Sequence, residues 1–65
     1  MFILKHGMKK DKPFLKSVEV GTTGIDISYS EEKKAMKFVS RGAAIQVSKA
    51  LRVSYGNFYP MEVDG

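Results

Sequence analysis

The sequence predicts an α+β domain: a small, mostly antiparallel sheet with two short helices packed on one face, in the order β-β-β-α-α-β. Three observations carry this expectation. Apolar residues alternate with a period of two before Ser30, recur at helical spacing after it, and give way to β-rich sequence from Val53 onward. With 65 residues the chain has room for one domain, 1–65.

Phe2 to Lys5 reads as the first strand, closed by Gly7. His6 to Pro13 is polar, lacks periodicity and ends in proline, so it is expected to be an exposed loop. Phe14 to Val20 forms the second strand, with Phe14, Val18 and Val20 on one face and Leu15, Ser17 and Glu19 on the other. Lys16 breaks that pattern. Gly21-Thr22-Thr23-Gly24 is a reversal between two alternating runs. Ile25 to Tyr29 then makes a third strand with Ile25, Ile27 and Tyr29 facing inward.

At Ser30 the period changes. Ser30 is a suitable N-cap, Glu31 and Glu32 complement a helix dipole, and Ala35, Phe38 and Val39 follow at i, i+3, i+4. Ser40-Arg41-Gly42 reads as a stop and restart, with a second helix running to about Leu51 on Ala44, Val47 and Leu51; one long helix bent at Gly42 is the alternative. Val53 to Val63 is the closing β segment, with a hairpin turn at Gly56-Asn57. Pro60, which cannot donate to a ladder, places its strand at an edge.

Composition narrows the chemistry. At 43% apolar residues the chain can form a core, and with no cysteine it has neither disulfides nor thiolate metal sites. The longest apolar run, Met1 to Leu4, is far short of a membrane span, and it turns basic at Lys5 in the wrong order for an export signal. A cytoplasmic protein without membrane association is expected. His6 is the only histidine, so no relay with a nucleophile can be assembled. Glu31 and Glu32 are neighbours that diverge by about 100° on a helix. Gly21 and Gly24 precede a strand, whereas a phosphate-binding loop precedes a helix. The expectation is a non-enzymatic protein with no cofactor and no metal.

The formal charge is +4, and residues 1–16 carry all of it: Lys5, Lys9, Lys10, Lys12 and Lys16 stand against Asp11 alone. Such a field attracts anionic partners, and it also keeps a small protein soluble. Lys9, Lys10 and Lys12, with Met8 as an adaptable apolar anchor, are the candidate partner-binding residues. Lys5, Lys16, Arg52 and Tyr55 are the alternative contacts if the partner is nucleic acid, because they mix cations with a ring.

The run Ile25-Asp26-Ile27-Ser28-Tyr29-Ser30, followed by Glu31-Glu32-Lys33-Lys34-Ala35-Met36-Lys37-Phe38 and then Ser40, Ala44 and Leu51, resembles small phage and prophage proteins of Gram-positive bacteria. The chain departs from their loose pattern at Gly42. What the resemblance implies is binding that blocks or redirects a host protein, and it carries over no functional residue. The expected function is accordingly a small interaction protein acting on a host macromolecule, foremost a protein. A nucleic-acid-binding accessory protein is the alternative, and a self-associating subunit is the third reading.

Overall fold

The period-two stretches of the sequence become strands. The computed structural model describes residues 1–64, with β1 at Phe2–His6, β2 at Phe14–Gly21, β3 at Gly24–Ser30 and β4 at Phe58–Glu62. They form one sheet in the order β3-β2-β1-β4, antiparallel throughout. Thr22-Thr23 joins β2 to β3 across the closing pair Gly21↔Gly24, and Gly24 has φ +139°, which a side chain would resist. β4 lies at an edge and carries Pro60.

Lys16 is a β-bulge. Leu15 pairs with Tyr29 and Ser17 with Ser28, which leaves Lys16 as the extra residue on β2. The insertion moves every later side chain to the other face of the sheet. Leu15 and Val18 therefore pack in the same cluster, while Phe14 joins the opposite one. This corrects the expected grouping of Phe14 with Val18 and Val20; Val20 is 79% exposed at the hairpin end.

The two-helix architecture is also corrected: the described residues form one α-helix and a 3-10 turn. Glu32–Lys34 makes only that turn, Ala35 is extended, and Phe38 forms an isolated β-bridge with Phe2. Sheet hydrogen bonding explains the difference. β1 and β2 meet at Lys5↔Phe14 and then part, and the following segment fills the gap between them. Met36 N–H donates to the Leu15 carbonyl at 2.8 Å, and Phe38 exchanges two backbone hydrogen bonds with Phe2 at 2.7 and 2.9 Å. Those buried strand groups need partners, and this need outweighs the weak helical preference of a short stretch. Phe38 still packs against the core, whereas Val39 is 84% exposed.

The helix, α1, spans Arg41–Tyr55. Ser40 caps it as expected, accepting from Ala43 N–H at 3.2 Å. It continues beyond Leu51 through Val53, which points into solvent, and ends at Gly56. No hairpin forms at Gly56-Asn57; Gly56 is the helix C-cap, in a positive-φ conformation.

Leu4, Leu15, Ala44, Leu51 and Phe58 are buried between the sheet and α1. On the opposite face Ile3, Phe14 and Ala35 form a smaller cluster with Met61 and Val63 at its rim. Each fully buried Leu or Ile contributes about 1.5–3 kcal/mol of transfer free energy. No helix among the described residues is long and apolar enough to cross a membrane.

Candidate binding groove

The β1–β4 register sets Lys5 opposite Tyr59 and His6 opposite Phe58. Alternation along the strands then divides the four side chains. His6 and Phe58 lie on the helix side, while Lys5 and Tyr59 lie on the other face.

His6 anchors the basic loop. Its Nδ1 accepts from Met8 N–H at 3.1 Å, and its Nε2 lies 2.6 Å from the Tyr55 carbonyl oxygen. A carbonyl can only accept, so the pair of contacts calls for the Nε2–H tautomer. The ring stands edge-on to Phe58 at 5.0 Å and to Tyr29 at 6.0 Å. Backbone bonds from His6 N–H to the Pro13 carbonyl (2.7 Å) and from Gly7 N–H to the Asn57 carbonyl (3.0 Å) fix the loop base. Lys9 Nζ sits 4.8 Å from the centroid of the Tyr29 ring, a cation–π contact. Burial, and after it the neighbouring Tyr55, raises the Tyr29 phenol above its ordinary value.

Lys5, Gly7, Lys9, Lys10, Pro13 and Tyr59, with one edge of His6, line a groove of about 500 Å³. The Tyr59 ring, 56% exposed, lies against Gly7 so closely that a Cβ there would fall 2.7 Å from its Cε2. A neighbouring hollow of about 190 Å³ is lined by Lys12, Lys16, Tyr29, Ser30, Glu31 and Lys34. At the far end of β4 a third depression is lined by Glu32, Met61, Glu62, Val63 and Asp64. Lys33 and Lys37 adjoin Glu32, Val63 and Asp64 there, so the charge at that end is mixed.

Lys9 and Lys10 thus lie in the groove with Lys5, and Met8 is 86% exposed on the same loop. Lys12 and Lys16 belong to the adjoining hollow. Arg52 is exposed on α1 and lines neither. Tyr55 is tied into the structure: its hydroxyl donates to the Ile25 carbonyl and its own carbonyl meets His6. Sequence reasoning missed Tyr59 as a groove residue. Its place beside Lys5 follows from the β1–β4 register, which nothing local to residue 59 announces. Lys9, a candidate partner-binding residue, also has a contact within the fold, on the Tyr29 ring.

The groove gathers the ammonium groups of Lys5, Lys9 and Lys10 around the ring of Tyr59. Among the described residues no three His, Cys, Asp or Glu side chains gather as a metal site. Comparison with protein-family models, with curated proteins and with solved structures finds no match to this chain.

Proposed function

We propose that this is a small non-enzymatic interaction protein whose basic groove holds an acidic segment of a partner protein. The phage-type origin implied by the sequence resemblance, and action on a host protein, belong to the same proposal. The supporting observation is the fixed presentation of the loop: His6, Pro13, Asn57 and Tyr29 tie down a segment that would otherwise be a loose charged tail. Preorganised charge loses less entropy on binding. Tyr59 supplies an exposed ring that a partner can bury, the kind of anchor on which specific recognition rests, and the lysines steer association.

Nucleic acid is the second reading, favoured by one observation: an exposed tyrosine among lysines is a stacking platform.

Fluorescence anisotropy at about 150 mM salt separates the two. An Asp/Glu-rich peptide containing one aromatic residue should bind, and Lys5→Ala/Lys10→Ala and Tyr59→Ala should each weaken it at least about tenfold. Submicromolar binding of a single-stranded oligonucleotide at this salt, without peptide binding, would replace the first reading with the second.

A further inference from the structure

We infer that the free edge of β3 is a self-pairing surface, on which two copies of this chain join β3 to β3 antiparallel about a two-fold axis at Ile27. β3 ends the sheet, and no strand lies beyond it among the described residues. The direction of its peptide groups follows from the turn. Thr22-Thr23 is a two-residue turn, so the closing pair Gly21↔Gly24 is hydrogen-bonded, and so is every second pair after it. Asp26 and Ser28 therefore turn their peptide groups to β2, while Ile25 and Ile27 turn theirs outward. Two contacts agree with this. The Ile25 carbonyl is open to the Tyr55 hydroxyl, which donates to it. On β2 the Leu15 carbonyl accepts from Met36 N–H, so Leu15 faces away from β3, and its cross-strand neighbour Tyr29 faces outward on the other side.

A second copy laid antiparallel and centred on Ile27 satisfies this edge. Ile27 meets Ile27, and Ile25 meets Tyr29 in both directions, each pair exchanging two hydrogen bonds. A carbonyl accepts twice, so that of Ile25 can keep Tyr55 as well. On the face away from the helix, Asp26 of each copy stands opposite Ser28 of the other, and no two charges meet directly. On the helix face Ile25, 39% exposed, comes beside the Tyr29 ring of the other copy. The two Lys9 ammonium groups over the Tyr29 rings lie at opposite ends of the pairing, about 13 Å apart along the strands. α1 packs on β1 and β4, so the two helices stand clear of each other. β3 has no proline and no lysine to blunt its edge, whereas β4 at the other edge carries Pro60. With one edge open and the other interrupted, assembly closes at two copies.

Pairing of one strand buries less than the about 800 Å² per copy of a standard interface, so the dimer is weak. Sedimentation equilibrium up to about 1 mM protein should show a monomer–dimer equilibrium with a Kd on the order of hundreds of micromolar. Amide hydrogen exchange followed by NMR should slow with concentration at Ile25, Ile27 and Tyr29, and stay constant at Asp26 and Ser28, which bond to β2. Charge placed opposite Asp26 of the other copy has a signed effect. Ser28→Lys should tighten the dimer about fivefold, and Ser28→Glu should weaken it about fivefold. Both lose the Ser17–Ser28 hydroxyl contact, so a purely structural effect would move them the same way. Asp26→Lys/Ser28→Lys should be monomeric alone and pair with Ser28→Glu on mixing. A wild-type monomer at about 1 mM overturns the inference. So does a dimer that protects other amides, or one that the two Ser28 substitutions shift in the same direction. The basic groove lies over β1 and β4, so acidic-peptide affinity should be unchanged in the Ser28 variants, and it tests the proposed function separately.

Discussion

Replacing Gly56 by alanine should remove a large part of the domain's stability. Gly56 has φ +93° and ψ −166°, a region open essentially to glycine alone, and forcing an L-residue into it costs about 1–3 kcal/mol. The added Cβ would also stand 3.1 Å from His6 Nε2 and 3.6 Å from Cε1. The imidazole has little freedom to yield, because Nε2 is 2.6 Å from the Tyr55 carbonyl and Nδ1 holds Met8 N–H. Disturbing one of those bonds adds about 1 kcal/mol. The total of about 2–4 kcal/mol compares with about 3–10 kcal/mol for the whole fold at this length. Thermal unfolding followed by circular dichroism should show a Tm lower by at least about 10 °C. Gly24→Ala is the control: φ is +139°, but nothing lies within 4 Å of its Cβ, so only the backbone cost applies. A Gly56→Ala Tm within about 2 °C of the parent would refute the reasoning, and equal losses at the two sites would remove His6 from it.

Leu51→Ala should cost about 2–5 kcal/mol in chemical denaturation because Leu51 is fully buried under the sheet, whereas Val39→Ala and Val53→Ala should each stay within about 0.5 kcal/mol. A large loss at Val39 would restore a buried helix over 31–39. Tyr29→Phe should resist alkaline unfolding better than the parent. The raised phenol of the folded state means that the unfolded chain ionises first, so the Tyr29 contribution is complete below about pH 10 and is lost as pH rises above it. Identical alkaline midpoints for the two proteins would remove that assignment.

Elements whose local signals agreed with their surroundings were legible in the sequence. The strand at Ile25 to Tyr29, with Ile27 and Tyr29 in the core though Ile25 is exposed, the Gly21–Gly24 turn, the Ser40 cap and the edge position of Pro60 each follow from chemistry within a few residues. The failures arose where distant backbone decided. Ala35, Phe38 and Val39 have helical spacing, yet Phe2 and Leu15 claim the hydrogen bonds of residues 36–38. The Lys16 bulge reassigned Leu15 and Phe14 to opposite faces without any glycine to announce it. Of the groove, Lys9 and Lys10 were legible as charge. Tyr59 was not, because only the pairing of β1 with β4 brings residues so far apart in sequence to one surface.

The segment wedged between β1 and β2 bears on how the chain acquires its shape as it is synthesised. β1 is made first, but its partners at Phe38 and along Phe58–Glu62 emerge much later. The β2–β3 hairpin can close early from neighbouring residues, while the central strand must wait with its peptide groups open. Contacts of such long sequence separation are slow to form, and chains awaiting them are prone to aggregate. Ribosome-stalled chains that end before Phe58 should therefore protect the hairpin from proteolysis and leave Phe2–His6 open to cleavage. This domain folds around the strand that is translated first, and it does so only after the strand translated last has appeared.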